Sequence, residues 1–151
     1  MKTLKVGDTV PDFKVFDEEA NTVQLSDFKD KKLIVFFYPK ASTPGCTMEA
    51  CNLRDNYQLL LDKGYAMIGV SADSAQRQKN FKTKYEFPFP LIADEDKKLI
   101  DLFGVWGPKK FMGREYDGIH RMTFIVENSK VIRVIDKVKT KDHAAQILEQ
   151  V

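Results

Sequence analysis

Six consecutive apolar residues, Leu33 to Tyr38 (LIVFFY), constrain this chain more than any other segment. A short run without polar alternation, rich in aromatic and β-branched side chains, has no face to offer water and belongs in a sheet covered on both sides. It stops at Pro39, which cannot donate a ladder hydrogen bond. From Pro44 onward, Cys46, Ala50, Leu53, Tyr57 and Leu60 recur at spacings of four, three, four and three. That is one face of a helix running to Lys63, with Gly64 as its natural stop. Tyr65 to Ser71 (YAMIGVS) is a second buried strand, and strand, helix, strand in succession implies a parallel crossover.

The rest of the chain continues the alternation. Ser74 to Lys84 reads as a surface helix, and Phe87-Pro88-Phe89-Pro90 breaks the chain before a short strand at Leu91-Ile92. Asp94 to Phe103 is expected to be helical and to end at Gly104. Met122 to Val126 and Val131 to Ile135 form two strands joined by a hairpin-length turn, and Lys141 to Val151 closes the chain as a helix. Gly104 to Gly118, with Trp106 and Pro108, is expected to be one long irregular segment, of the kind that often carries function. Residues 1 to 30 precede the first central strand. The expected fold is α/β, a mixed sheet flanked by helices on both faces, in a single domain over residues 1–151.

Charge and cysteine content narrow the function. Lys plus Arg number 24 against 22 for Asp plus Glu, and the net +2 is spread along the chain, which argues against nucleic acid and membrane surfaces as partners. The start, MKTLKVGDTVPDF, lacks an apolar signal core, and the longest apolar run is six residues against the roughly 20 of a membrane span. A soluble, cytoplasmic protein is expected. Two cysteines are too few for a secreted disulfide scaffold, so their closeness in sequence points to redox chemistry or metal ligation. Neither His120 nor His143 has finger spacing to them, which argues against zinc. His120 reads as a loop or strand-end residue and Trp106 as packing.

Cys46 lies just beyond the carboxyl end of the first central strand, where open α/β sheets bind ligands. Thr43 is placed to be the N-cap and Pro44 the first helical residue, which puts Cys46 in the third position. The free N–H groups and positive dipole end there favour a thiolate over a thiol. Acidity alone is a small gain. Lowering any thiol from about 8.5 to about 6 raises its ionised fraction roughly 30-fold at pH 7 but costs about 13-fold in nucleophilicity. Fast attack therefore needs groups that stabilise the departing oxygen, with backbone N–H groups at the helix start and the Thr43 hydroxyl as local candidates. Arg121, at the start of the Met122 strand, is either a fixed cation for this site or a solvated strand-end residue. Cys51 is either a partner of Cys46 or a small apolar filler. Five residues apart on an intact helix, the two Cα atoms sit about 8.6 Å from each other, beyond the roughly 7 Å limit for a disulfide, so a pair could close only if the helix unwound.

The string YPKASTPGCTMEACNLRDNY resembles the active-site segment of the peroxiredoxins, and its Cys-x4-Cys spacing is similar to that of the bacterioferritin comigratory protein, or peroxiredoxin Q, subgroup. Pro39, Thr43 and Cys46 fit the family's P-x-x-x-T-x-x-C pattern, and GVSADS and FGVWGPKKFMGREYDGIHRMTFIV extend the resemblance over nearly the whole chain. The resemblance implies a thioredoxin-like fold, Cys46 as peroxidatic and Cys51 as resolving cysteine, and a redox disulfide between them. It implies that Pro39, Thr43, Gly45 and Arg121 form the peroxide-binding environment. It further implies hydrogen peroxide and organic hydroperoxides as substrates, a thioredoxin-type reductant, no metal or bound cofactor, a monomer or weak dimer, and a role in antioxidant defence and redox homeostasis.

Overall fold

The computed structural model describes residues 2–149. The apolar run becomes the third strand of the chain, β3 (Lys32–Phe37), after a small hairpin of β1 (Lys14–Phe16) and β2 (Thr22–Gln24). The crossover expected from the sequence is present. β3 leads through α1 (Pro44–Asp55) and α2 (Tyr57–Asp62) to β4 (Tyr65–Ser71), which lies parallel to it. α3 (Ala75–Tyr85) then returns the chain to a further parallel strand, β5 (Leu91–Ala93). α4 (Lys98–Phe103), a two-stranded ribbon of β6 (Trp106–Phe111) and β7 (Arg114–Ile119), the antiparallel strands β8 (Met122–Glu127) and β9 (Lys130–Ile135), and α5 (His143–Leu148) complete the chain. The central sheet has the order β5-β4-β3-β8-β9, with β8 antiparallel to β3.

Strand alternation sorts β3 between two cores. Leu33, Val35 and Phe37 pack with Ile68, Val70 and Phe124 against α4 and the N-terminal hairpin, through residues such as Phe103, Phe13 and Val15. Ile34, Phe36 and Tyr38 face the other way, onto Ala50 and Leu53 of α1, Leu60 of α2, Phe81 of α3 and Ile147 of α5. Every residue from Leu33 to Tyr38 is buried, as a strand with helices over both faces demands. Gly69 inside β4 makes room for this packing: a Cβ there would lie 2.6 Å from the Phe36 ring. Among the described residues no helix is long and apolar enough to cross a membrane.

Four local expectations are corrected. The helix from Pro44 does not run unbroken to Lys63. It breaks at Asn56, whose side-chain amide donates to the Asn52 carbonyl oxygen while its backbone N–H bonds to Leu53. The competing side-chain bond takes the acceptor that a continuing helix needs. α4 begins at Lys98 and not at Asp94, because Lys97 is left-handed (φ +58°) and the Asp94 carboxylate accepts from the Lys98 and Ile100 N–H groups. Gly104 to Gly118 is not irregular: Trp106–Phe111 pairs in full register with Arg114–Ile119 across Met112 and Gly113, both at positive φ as a tight hairpin turn requires. The closing helix spans His143–Leu148, and residues 150 and 151 of its expected range lie outside the described residues.

Candidate active site

The site is assembled where β3 hands over to α1. β3 ends at Phe37, although the Tyr38 N–H still bonds to the Val70 carbonyl, and Pro39 and Lys40 carry the chain out of the sheet. The next residues are held in place by side chains from the end of β4. The Ala41 N–H donates to the Asp73 carboxylate (2.7 Å), which also accepts from the Ser71 hydroxyl. The Tyr38 hydroxyl is bonded to Gln78, whose amide in turn donates to Ser71. This buried network fixes the loop that precedes the cysteine.

Thr43 occupies the N-cap position, Pro44 is the first helical residue, and Cys46 is the third. The Thr43 carbonyl takes the first helical bond, from Thr47. Its hydroxyl does not cap the helix, in contrast to the sequence expectation. It donates to the Lys40 carbonyl (2.7 Å), so the Thr43 oxygen keeps only acceptor capacity. The Gly45 and Cys46 N–H groups have no carbonyl four residues back within the helix and lie at its positive end.

Cys46 is buried, at 2% exposure, and its Sγ lies 3.4 Å from Nη2 of Arg121. The structure therefore joins two residues 75 positions apart. Arg121 sits between β7 and β8, at the base of the ribbon, where the His120 N–H bonds to Val105, the Lys109 ammonium to the Ile119 carbonyl, and the His120 ring to the Pro108 carbonyl. Its other nitrogen, Nη1, donates to Glu49 Oε1 at 2.7 Å. Burial pulls the Arg121 pKa down, but the facing Cys46 sulfur and Glu49 carboxylate outweigh burial and hold it above its ordinary value. Arg121 also borders an open groove lined by Lys2, Lys5, Lys109 and His120. Gly45 lies directly beneath the guanidinium: a Cβ there would come within 3.2 Å of Nη2.

Three members of the site escaped the sequence reading. Glu49 is fully buried on the same helical face as Cys46, three residues on, and burial pushes its pKa up to about 7 against the pull of Arg121. An acidic residue in the middle of an apolar helical face was the available signal. Lys109 sits near Arg121, and its pKa is lowered by burial and then by that neighbouring charge. His143, considered from sequence only as a zinc ligand, is fully buried beside Glu49. Among the described residues no group of three or more His, Cys, Asp and Glu side chains gathers as a metal site would require.

Both cysteines are free thiols, and Cys51 is half-buried on the intact α1. Burial raises its pKa, with Arg54 opposing and Asp55 adding. Asn52, its neighbour, ties α1 to the start of α5 by donating to the Lys141 carbonyl and accepting from the Ala144 N–H. Trp106 packs at the edge of the core with the Lys97 ammonium 3.9 Å above its ring.

Residues 6–135 match the AhpC/TSA family. The chain is 45% identical over 150 residues to a putative peroxiredoxin Bcp of Haemophilus influenzae, covering 99% of this chain and 97% of that one. It is 43% identical over 149 residues to the peroxiredoxin Bcp of Escherichia coli, covering 98% and 96%. Among solved structures, a peroxiredoxin Q of Xanthomonas campestris superposes with a TM-score of 0.84 at 33% identity, over 91% of this chain and 87% of that one. A cysteine-to-serine variant of Xylella fastidiosa PrxQ superposes with a TM-score of 0.92 at 27% identity, over 99% and 96%. Another X. campestris neighbour, the bacterioferritin comigratory protein, was studied for alkyl peroxide reduction; it is 32% identical, with a TM-score of 0.84 over 91% and 88%. The shared fold is thioredoxin-like.

Proposed function

The chain belongs to the AhpC/TSA family as a peroxiredoxin of the Bcp type, and from that premise we propose that it reduces hydrogen peroxide and organic hydroperoxides through Cys46 and Cys51 and is recycled by a thioredoxin-type dithiol. The observation that carries this reading is the 3.4 Å approach of Arg121 to the Cys46 sulfur at the start of α1. The Cys46 thiolate attacks the terminal oxygen of the hydroperoxide; an S–O bond forms, the O–O bond breaks, and the alkoxide or hydroxide leaves and takes up a proton. Arg121 and the free N–H groups of the helix start supply positive potential to the oxygens as charge moves onto them. With its proton committed to Lys40, Thr43 offers a lone pair to the O–H of the hydroperoxide and so orients it. By the family pattern Pro39, two residues past the end of β3, completes the peroxide environment.

Cys46 is then a sulfenic acid. The Cys51 thiolate attacks its sulfur, the S–S bond forms and hydroxide departs, and the dithiol reductant restores both thiols by exchange. Cys51 cannot reach on the intact α1, so the first turns unwind, which also lifts Cys51 out of the burial that keeps it protonated. In this reading a single domain carries all of these parts, on α1 and on the connection between β7 and β8. Antioxidant defence and redox homeostasis are the corresponding cellular role.

Oxidation with one equivalent of peroxide is expected to lower the far-UV helical signal as the Cys46–Cys51 bond forms, and reduction to restore it. A protein shown by intact mass to carry the bond, with its helicity unchanged, would exclude the unwinding step. Substrate and reductant preference are read from a coupled assay with several hydroperoxides and with thioredoxin, glutaredoxin and glutathione. No turnover with any dithiol would overturn the recycling scheme. Gly45→Ala separates function from stability. Its added methyl presses on Nη2 of Arg121, so the rate constant for peroxide should fall about fivefold, in line with the sensitivity of aligned groups to small displacements. The melting temperature should stay level or rise, because alanine is favoured over glycine inside a helix by up to about 1 kcal/mol. A rate equal to that of the native protein would remove Gly45 from the site.

A further inference from the structure

Glu49 is held at one oxygen only. Oε1 accepts from Arg121, while Oε2, equally buried, has no hydrogen-bond partner among the described residues. The group that faces Oε2 is the His143 ring, with Nε2 at 3.6 Å. Neighbouring bonds settle the tautomer of that ring. Gln146 accepts the Lys139 N–H at Oε1 and donates from Nε2 to the Lys137 carbonyl, so the atom it turns to His143 Nδ1 is an oxygen (2.9 Å), and Nδ1 must carry the proton. Burial lowers the His143 pKa to about 4, with Gln146 opposing and the Arg133 and Arg121 charges adding, so the ring is neutral at pH 7. Its Nε2 then carries no proton, and its lone pair accepts from the Thr123 hydroxyl at 2.7 Å, so the ring has no N–H to offer Oε2.

A proton-free imidazole nitrogen disfavours a charged carboxylate oxygen beside it and is compatible with a neutral carboxyl group. The elevated proton affinity of Glu49 agrees with this: a proton on Oε2 removes the negative charge from the buried, unpartnered oxygen that faces His143. In that form Glu49 still accepts from Arg121 through Oε1 but no longer neutralises it. The guanidinium charge is then left for the Cys46 sulfur and the peroxide oxygens. Arg121, just before β8, faces the carboxyl group and the Cys46 sulfur, while His143 on α5 is faced by Thr123 on β8 and by the charge of Arg133 on β9.

We propose that His143 is a positioning residue for peroxide reduction: lying behind Glu49, it orients the carboxyl group and through it sets how Arg121 meets the Cys46 sulfur. The proposal rests on the reading of Arg121 as the cation of the peroxide site.

Two substitutions differ only in where they put an amide. In His143→Asn the amide reaches the place of Nδ1, keeping the Gln146 contact and vacating Nε2; in His143→Gln it reaches the place of Nε2. Stopped-flow measurement of sulfenic acid formation is expected to give a rate constant about fivefold lower for His143→Asn and within about twofold of native for His143→Gln, the scale of one lost buried hydrogen-bond partner. The subsequent disulfide step should be unaffected in both. In a Glu49→Gln background, His143→Asn should cost nothing further. Equal losses in the two backgrounds, or equal losses for Asn and Gln, would mean that His143 acts on packing and would overturn the proposal. Arg121→Ala measured alongside separates two failures: no loss there overturns the reading of the site and this proposal with it. A large loss there, with His143→Asn at the native rate, overturns this proposal alone.

Discussion

Cys46→Ser is expected to abolish peroxide consumption in an assay coupled to thioredoxin, thioredoxin reductase and a nicotinamide reductant, by more than about 10³-fold, the scale on which losing an enzyme's nucleophile is measured. Cys51→Ser should instead consume one equivalent of peroxide and stop. The physical difference lies in what each sulfur faces. Cys46 is buried at the positive end of α1 with a guanidinium nitrogen 3.4 Å away, whereas Cys51 lies on the flank of the same helix with its thiol favoured by burial. A serine hydroxyl at position 46 is not ionised near neutral pH and is a poor nucleophile towards an O–O bond, so nothing in the pocket compensates for the missing sulfur. In Cys51→Ser the attack proceeds, and intact mass should show a single added oxygen on Cys46, or a trapped adduct of the sulfenic acid. Full turnover by Cys46→Ser would end the assignment. Full turnover by Cys51→Ser would keep Cys46 as the nucleophile and move resolution to an external thiol.

How far such a site can be read from a sequence depends on whether its parts are local. The thiol, its helix position and the proline and threonine before it lie within eight residues, from Pro39 to Cys46, and their spacing carries the geometry. The buried strands were legible for a similar reason, since LIVFFY and YAMIGVS have no polar face to misread. Arg121 stood between a fixed cation and a solvated strand-end residue until a resemblance favoured the first. Its distance from Cys46 is set by the β3–β8 pairing, with Phe37 opposite Met122, and no local pattern encodes that register. The ribbon from Trp106 to Ile119 was hidden because its strands are mostly exposed, and without a buried face the period-two signal is not written. The Thr43 hydroxyl shows a finer limit. Its position as N-cap follows from Pro44, but the choice between capping the helix and donating to Lys40 is decided by the shape of the preceding loop. Asn56 is the same lesson in reverse: apolar periodicity continues through it, and one side-chain hydrogen bond breaks the helix.

Arg121→Leu is expected to lower the rate constant for peroxide by about 10²- to 10³-fold while leaving a folded protein, the size seen when one preorganised donor to a developing oxyanion is lost. Arg121→Lys should recover only part of this, because a single ammonium cannot reach Glu49 at 2.7 Å and Cys46 at 3.4 Å in the fixed geometry of a planar fork. Stability carries an independent signature with a definite sign. The folded-state pKa of Glu49 already stands above its ordinary 4.5, at about 7, with burial raising it and Arg121 holding it down. Removing the guanidinium removes the restraint, so the folded state of Arg121→Leu binds the Glu49 proton more tightly still. A raised folded pKa means stability that is intact below the unfolded value and is lost as pH climbs through the folded one. The melting temperatures of Arg121→Leu and the native protein should therefore lie close together near pH 4.5 and separate progressively towards pH 8, with the variant falling faster. Adding Glu49→Gln should close that gap, because a neutral amide has no proton to lose. A gap of constant size from pH 4.5 to 8, or one that survives Glu49→Gln, would mean that Arg121 contributes packing and not charge, and its place opposite the Cys46 sulfur would then need a different explanation.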